Sequence, residues 1–263
     1  MTSAALAATS ILVTRPQDQT NELCRLIREE DGTAINWPAI HILAREPNAS
    51  KAHALRNASP DDIAVFISRN AVKYGAALIR RDAPPEITAV GPSTTAELET
   101  AGLPVDIVPH GHDSESMLTQ LDETDVRGRH VYIIRGKGGR ETLRRGLEDR
   151  GVSVDYIEVY ERICPQVSAE EIADIIQRWT ACENRLFTAT SLEILDNLMS
   201  MLGPANIGIL RDAAMVTASR RVVQRGESFG HCGARLLAPG PSDRSLLNAM
   251  IEWRTGIAAA EAP

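Results

Sequence analysis

Short apolar runs alternate with helix-like patterns from one end of the 263-residue chain to the other. Runs of this length that are rich in β-branched residues are typical of strands, and the amphipathic segments between them are typical of helices that cover a sheet. The alternation therefore indicates an α/β fold with mostly parallel sheets. The predicted strands are Ile11–Thr14, Ile35–Ile42, Ile63–Ser68, Ile87–Val90, Asp106–Val108, Val131–Arg135, Val152–Tyr160, Arg185–Thr188, Ala214–Val216 and Arg235–Leu237.

The chain also repeats itself about 120 residues on. The segment V-T-R-P from Val13, followed by a helical pattern and Gly32, has a counterpart in I-I-R-G from Ile133, followed by a helical pattern and Gly151. Each copy leads into an unusually long predicted strand, AINWPAIHIL in the first and VSVDYIEVYER in the second. The repeat predicts two similar lobes, each a flavodoxin-like, doubly wound parallel sheet flanked by helices.

The repeat alone leaves open whether each lobe is continuous in the chain or whether the two long strands cross between lobes. Strands that outrun a single sheet favour crossing, and Pro38 and Pro165 suit edge or linker strands better than a central strand. Crossing gives lobe 1 residues 10–38 and 168–255 and lobe 2 residues 44–160. A two-stranded linker is then expected at 39–43 and 161–167, with loose tails at 1–9 and 256–263.

The composition of the chain argues against several classes of binding partner. The formal net charge is −7 and aromatic residues make up 4% of the chain, which argues against binding to nucleic acid. No apolar run approaches the roughly 18 residues that span a bilayer, so no membrane partner is expected. The four cysteines lie far apart with no C-x-x-C spacing, which predicts free thiols in the cytoplasm, and no residue set predicts a metal or other cofactor.

The turns after the predicted strands share one chemistry. In doubly wound sheets, ligands bind beyond the carboxyl ends of the strands, where backbone N–H groups and helix N-termini attract carboxylate or phosphate. The predicted binding residues are Thr14, Arg15, Ser68, Arg69, Asn70, Gly91, Ser93, Thr94, Arg135, Gly136, Lys137, Gly138, Thr188, Thr190, Ser191, Ser219 and Arg220. Hydroxyls, glycines and cations at several strand ends predict a cleft for an acidic small molecule.

Each of these turns also has a structural interpretation. Serine and threonine before a helix usually cap it, and Arg15 and Arg135 are equally suited to salt bridges between elements. The loop G-K-G-G-R is neither a Walker A loop nor G-x-G-x-x-G, because Glu141 stands where the last glycine would be. The recurrence of the same kind of turn in both lobes favours binding.

Tyr160 ends the second long strand, at a junction expected to face the cleft. Its structural alternative is a half-buried strand tyrosine with a solvated hydroxyl. No predicted strand end offers a Ser-His-Asp set, paired carboxylates or a metal cluster, so conventional hydrolytic or metal chemistry is not indicated.

Seven segments carry a resemblance to a known family: I-L-V-T-R-P, N-W-P-A-I, V-F-I-S-R-N-A-V, A-V-G-P-S-T-T-A-E-L, the D-S-E of Asp113–Glu115, I-I-R-G-K-G-G-R-E-T-L and D-Y-I-E-V-Y. In their order and spacing they resemble the uroporphyrinogen-III synthase family, and the similarity runs from about Ile11 to Met250. The resemblance implies two lobes joined by a two-stranded ribbon, in agreement with crossing strands. The C-terminal third departs most, with T-A-T-S where the family usually has a Ser-Pro-Ser-like turn and V-T-A-S-R-R in place of a Ser-Pro-Arg or Gly-Pro-Thr pattern.

The resemblance implies a cofactor-free, cyclising hydro-lyase of haem and tetrapyrrole biosynthesis. Its substrate is hydroxymethylbilane, a linear tetrapyrrole with acetate and propionate groups on every ring, and the terminal ring inverts through a spiro intermediate. Tyr160 matches the family's tyrosine near the departing hydroxyl, where it is expected to act as hydrogen-bond donor or general acid. A monomer is expected, as is transient hand-over of substrate from hydroxymethylbilane synthase. The alternative is a non-catalytic sensor or carrier of an acidic small molecule.

Overall fold

The computed structural model describes residues 4–107, 114–122, 126 and 128–261. The strands are β1 (Thr9–Val13), β2 (Thr33–Asn36), β3 (His41–Ala44), β4 (Ile63–Phe66), β5 (Glu86–Ala89), β6 (His130–Gly136), β7 (Ser153–Ile163), β8 (Asn184–Thr188), β9 (Ala214–Thr217) and β10 (Arg235–Leu237). The α-helices are α1 (Asn21–Glu29), α2 (Ala49–Arg56), α3 (Arg69–Gly75), α4 (Pro92–Thr100), α5 (Ser114–Asp122), α6 (Thr142–Glu148), α7 (Ala169–Trp179), α8 (Leu192–Asn206), α9 (Arg220–Ser228) and α10 (Asp243–Glu261). The motif residue Asp113 lies outside the described residues.

The chain divides into two compact units. Unit 1 comprises Met1–His41 and Ile163–Pro263, and unit 2 comprises Ile42–Arg162. The divisions fall inside the two segments predicted as linkers, while the finer lobe bounds stay a prediction.

Unit 1 is built on a five-stranded sheet in the order β10-β9-β8-β1-β2. Its neighbouring strands run parallel to one another. Numbered within the unit, this is the flavodoxin-like order 2-1-3-4-5, whose direction of winding reverses between β1 and β8. The carboxyl ends of β1 and β8 therefore form the switch point of this unit.

Unit 2 has the order β3-β7-β6-β4-β5, with parallel pairing from β7 to β5. The winding reverses between β6 and β4, so that β6 and β7 take the places that β1 and β2 have in unit 1. This agrees with the sequence repeat, in which Ile133 is the counterpart of Val13. Unit 2 is thus the same winding with a different starting point in the chain, and the doubly wound α/β class is confirmed.

Both faces of the unit 2 sheet are covered by apolar side chains. Phe66, Ile134 and Val159 pack on one face, and Val65 and Ile133 pack on the other. Successive strand residues point to opposite faces, so continuous apolar strands belong in a sheet buried on both sides. None of the described helices is long and apolar enough to cross a membrane.

Two predicted strands differ in the structure. Ile35–Ile42 is broken into β2 and β3, which belong to two different sheets. Between them, on either side of Pro38, the N–H groups of Trp37 and Ala39 donate to the carbonyls of Val13 and Thr14, each at 2.9 Å. Pro38 therefore stands where an N–H would point away from β1, toward the open edge of the sheet. In the predicted strand Asp106–Val108, pairing is limited to a single bridge between Thr88 and Ile107 in the described part, and residue 108 lies outside it.

The described parts of the segments predicted as loose tails contain ordered residues. Leu6 is fully buried in the core of unit 1, and its N–H donates to the Glu30 carbonyl at 2.8 Å. At the other end, α10 continues to Glu261. The burial of Leu6 explains why the N-terminal segment packs on unit 1, since burying a leucine side chain is worth about 1.5–3 kcal/mol.

Candidate functional site

A cavity of about 370 Å³ opens in unit 2 beside the carboxyl ends of β4, β5 and β6. Its apolar wall is formed by Ile67, Val90, Ile133 and Leu143, and its polar side chains are Arg135, Arg140, Tyr156, Tyr160 and Arg162. The cavity lies at the switch point of unit 2, where doubly wound sheets bind ligands.

Tyr160 is held in this cavity by a hydroxyl contact. Its side chain is buried, and its Oη lies 3.1 Å from Ser68 Oγ. Ser68 Oγ also accepts from the Ala71 N–H at 3.1 Å and so caps α3. A serine that accepts one bond still has its own proton to give, so Ser68 is able to donate to Tyr160 and leave the phenolic proton for a ligand.

The backbone beside Tyr160 requires a glycine. Gly136 pairs with Tyr160, while the preceding pair joins Arg135 to Glu158, so Val159 is an additional residue in β7. A Cβ at Gly136 would lie 2.6 Å from two atoms of the Tyr160 ring. The glycine in the G-K-G-G-R loop therefore lets the phenol ring pack directly on β6.

Other predicted residues of unit 2 lie around the cavity or at neighbouring turns. Arg69 is exposed and Asn70 is half-buried at the start of α3. At the start of α4, Ser93 is exposed, whereas Thr94 is buried and donates its hydroxyl to the Val90 carbonyl at 3.2 Å. Gly91 adopts φ +91°, a conformation that favours glycine.

The loop after β6 carries three predicted binding residues. Gly136 and Gly138 line the cavity, and Lys137 is exposed with its Nζ 3.5 Å from the Glu161 carboxylate. The Gly138 N–H donates to Glu158 Oε1 at 3.3 Å. The Arg135 side chain also lines the cavity, but its guanidinium donates to carbonyls of this same loop.

In unit 1, Thr14 and Thr188 are fully buried and bonded to each other. The Thr14 N–H donates to Thr188 Oγ1 at 3.0 Å, and the Thr14 hydroxyl donates to the Thr188 carbonyl. These hydroxyls join β1 to β8 at the switch point, so their burial does not support the predicted role in binding.

Arg15 is also used within unit 1. Its guanidinium forms an ion pair with Asp243 and donates to the Pro241 carbonyl at 3.1 Å. Its Nε is buried with no hydrogen-bond partner among the described residues. The arginine thus fixes the turn that leads into α10, which is the structural alternative considered for it above.

The remaining predicted residues of unit 1 lie at two helix starts. Ser191 caps α8 by accepting from the Ile194 N–H at 3.2 Å, and Thr190 beside it is half-buried. Ser219 precedes α9 without a side-chain capping bond, and Arg220 is exposed. Their role in binding stays a prediction.

Sequence reasoning missed Tyr156, Arg140 and Arg162, which the structure brings to the unit 2 cavity. Alternation along β7 gave no signal for Tyr156, because the additional residue Val159 interrupts it: Tyr156 packs on the face of Val65, whereas Tyr160 packs on the face of Phe66. Burial raises the pKa of Tyr156 to about 12, against an opposing effect of the Arg135 guanidinium, so its phenol is a neutral donor near pH 7.

The cavity combines apolar walls, tyrosine hydroxyls and arginine side chains. This chemistry suits a ligand that has flat apolar rings and carboxylate substituents. Among the described residues, no group of three or more His, Cys, Asp or Glu side chains is arranged to hold a metal ion.

A family model described as Uroporphyrinogen-III synthase HemD matches residues 21–248 of the chain. Uroporphyrinogen-III synthase of Escherichia coli (strain K12) is 30% identical over 199 residues, which cover 73% of this chain and 80% of that protein.

Two solved structures share the fold. The crystal structure of uroporphyrinogen-III synthetase from Helicobacter pylori gives a TM-score of 0.60 at 13% identity, over 95% of this chain and 99% of that chain. A mutant uroporphyrinogen III synthase from Thermus thermophilus gives a TM-score of 0.55 at 16% identity, over 96% and 100% of the two chains. At these identities, the likeness concerns the fold alone.

Proposed function

Since the chain belongs to the uroporphyrinogen-III synthase family, we propose that it closes hydroxymethylbilane to uroporphyrinogen III and that Tyr160 assists the step in which water is lost. Enzymes of this family are cyclising lyases of porphyrin biosynthesis that act on a small-molecule tetrapyrrole. The proposal concerns the identity of the substrate and the residues that act on it.

The observation that carries the proposal is that Tyr160 lines the unit 2 cavity while its Oη lies 3.1 Å from Ser68 Oγ. With Ser68 donating, the Tyr160 proton is directed to the ligand. A hydrogen bond of this kind stabilises charge that develops on a departing oxygen.

The chemistry balances with one proton donor and no cofactor. The bond between the hydroxymethyl carbon and its oxygen breaks, the oxygen leaves as water after taking a proton, and the pyrrole becomes an azafulvene. The substituted carbon of the terminal ring attacks this carbon and forms the spiro intermediate. The bond between this substituted carbon and its original bridge carbon then breaks, and the bridge carbon bonds to the free α-carbon of the terminal ring. That carbon loses its proton, which replaces the proton given to the departing hydroxyl, so the net loss is one water.

Selection of the isomer requires positioning more than acid–base strength. The azafulvene reacts unaided to the unrearranged type I ring, so the protein must hold the terminal ring against its substituted carbon. Effective molarity supplied by such positioning accounts for a large part of many enzymatic rate enhancements. The apolar walls and arginines of the cavity provide contacts for rings and carboxylates.

The non-catalytic carrier is the less favoured function, because the chain matches the family model over most of its length and Tyr160 lines the cavity. A monomeric state, a cytoplasmic location and substrate hand-over from hydroxymethylbilane synthase remain predictions.

The decisive experiment supplies freshly made hydroxymethylbilane to the purified chain and separates the products by isomer. The wild type should give type III product without added metal, nucleotide or flavin. Tyr160→Phe should lower the rate by about 10²-fold, at the lower end of the range for general-acid catalysis, because departure of the hydroxyl is feasible unaided. The residual product should stay mostly type III.

The matched control is Tyr74→Phe. The Tyr74 ring lies 6.1 Å from that of Tyr160, and its hydroxyl donates to the Ile42 carbonyl at 3.4 Å, so the change deletes a neighbouring hydroxyl that lies outside the cavity wall. Its rate should equal that of the wild type. If the wild type gives only type I product, the protein is a carrier and not a synthase. If Tyr160→Phe reacts at the wild-type rate, the Tyr160 hydroxyl has a structural role only.

A further inference from the structure

The Arg135 guanidinium is enclosed by the loop that follows it, residues 136–141. Its side chain is only 5% exposed. Nε donates to the Gly136 carbonyl at 3.2 Å, Nη1 donates to the Arg140 carbonyl at 3.4 Å, and Nη2 donates to the Gly138 carbonyl. All three nitrogens are therefore bonded to carbonyls of one short loop.

The charge and the flat face of this guanidinium are also occupied. Nη1 lies 3.6 Å from Glu141 Oε1, and the guanidinium carbon lies 4.2 Å from the centre of the Tyr156 ring. A guanidinium stacked on an aromatic ring and paired with a carboxylate is fixed in orientation as well as position.

Two glycines allow the loop to wrap this closely. Gly138 and Gly139 have φ values of +73° and +96°, which other residues adopt at a cost. A Cβ at Gly139 would lie 2.8 Å from Arg135 Nη2, so the loop backbone approaches the guanidinium too closely for a larger residue.

We propose that Arg135 is a positioning residue: its guanidinium holds the loop of residues 136–141 in shape at the cavity, so that Arg140 on this loop contacts the carboxylates of the substrate. The proposal rests on the function proposed above. It replaces the prediction from sequence that Arg135 itself binds the ligand, because each of its three side-chain nitrogens donates to a carbonyl of the loop and its face stacks on Tyr156.

Lysine at position 135 separates the two roles. If Arg135 acted on the substrate by its charge, lysine would retain much of the effect. A loop held by a planar fork of several N–H groups is different, since an ammonium cannot bond three carbonyls in that geometry or stack on Tyr156.

The test variants are Arg135→Lys, Gly139→Ala and the double variant that combines them. The control variant is Arg144→Lys. Gly139→Ala disturbs the same contact from the loop side and leaves Arg135 in place. Arg144 is a matched control, because its guanidinium also lies over the Tyr156 ring, at 5.0 Å, but forms its ion pair with Glu148. The readouts are KM and kcat with hydroxymethylbilane, and hydrogen exchange of the amides in residues 136–141.

Both test variants should raise KM about tenfold and lower kcat less than about threefold, because a misplaced loop weakens binding of substrate and transition state alike. Amide exchange in the loop should accelerate in both, and the double variant should be no worse than the more impaired single variant. Arg144→Lys should match the wild type in every readout.

Wild-type KM and loop exchange in Arg135→Lys would overturn the proposal. If Arg135→Lys fails to fold, the Gly139→Ala variant tests the proposal. An unchanged KM and unchanged amide exchange in Gly139→Ala would overturn the proposal as well. Hydrogen exchange is measured on the loop without substrate. If the wild type yields only type I product, the proposed function is wrong, but the exchange data still show whether Arg135 holds the loop in shape.

Discussion

The two units place an arginine at the same point of the repeat and use it to fix different turns. Arg15 follows β1 in unit 1 and reaches across to Asp243 at the start of α10. Arg135, its counterpart in unit 2, is bonded instead to the loop directly after it. In unit 1, the arginine joins segments far apart in the chain, and in unit 2 it organises a local loop beside a cavity.

The hydroxyls at the two switch points differ as well. In unit 1, Thr14 and Thr188 bond each other between β1 and β8. The equivalent positions of unit 2 are Ile134 and Ile67, where the Ile67 N–H donates to the Ile134 carbonyl at 3.3 Å and no hydroxyl is needed. These two threonines of unit 1 are thus bonded to each other, whereas Tyr160 of unit 2 lines a cavity and Ser68 is bonded to its hydroxyl. Substitutions of the two threonines should therefore affect stability, and substitutions around Tyr160 should affect catalysis.

The largest effect is expected from Gly136→Ala in unit 2. The added Cβ would lie 2.6 Å from the Tyr160 ring, so the ring or the strand must shift. Misplacement of the phenol together with the start of the loop should lower kcat/KM by about 10²–10³-fold. Steady-state kinetics beside a thermal melt measure this.

Gly208→Ala serves as the control for that change, because a Cβ at this position of unit 1 meets nothing within 4 Å. It should retain wild-type kinetics. A fully active Gly136→Ala protein would show that the close packing of Tyr160 on β6 is dispensable, and the contrast between the units would lose its main support.

An intermediate effect, on stability alone, is expected from Thr188→Val in unit 1. The change keeps the shape but leaves the buried Thr14 N–H without its acceptor, which costs about 1–3 kcal/mol of unfolding free energy. Urea unfolding measures the loss, and kinetic constants should stay at wild-type values. Thr180→Val, which removes an exposed hydroxyl bonded to the Ile176 carbonyl at 2.8 Å, should change stability far less. A raised KM in Thr188→Val would show that Thr188 does contribute to substrate binding.

Among the unit 2 variants, the smallest loss of rate is expected from Ser68→Ala. Loss of one neutral hydrogen bond to Tyr160 is worth about 0.5–1.5 kcal/mol, or roughly threefold to tenfold in rate. Ser168→Ala is a close match, because Ser168 caps α7 as Ser68 caps α3. Both should lower stability by about 1 kcal/mol through the lost cap, and only Ser68→Ala should slow the reaction. Equal rates in the two variants would mean that Ser68 is a cap and nothing more.

The sequence predicted the architecture well because alternation and repetition are properties of the whole chain. The equivalence of Val13 and Ile133 predicts two similar windings, and the structure places both residues at switch points. The break at Pro38 was harder to anticipate, because the apolar run continues on both sides of the proline. Leu6 was missed because a single leucine among alanines gives no periodic signal.

The candidate site was predicted in part. Tyr160 and Gly136 do line the cavity, and residue type at a strand end was enough to find them. The direction of a polar side chain was not available from the pattern. Thr14 and Arg15 have the chemistry of ligand-binding residues, but their bonds to Thr188 and Asp243 depend on strands and helices more than 170 residues away in the chain.

The division of unit 1 between the two ends of the chain has a consequence for synthesis. A chain made from its N-terminus produces β1 and β2 first, but the partner β8 that completes the centre of their sheet ends at Thr188. All of unit 2, Ile42–Arg162, is made in between and is contiguous. On the ribosome, the whole sequence of unit 2 is therefore available for folding before that of unit 1. The apolar residues of β1 stay in an incomplete sheet, accessible to chaperones, until the last third of the chain emerges.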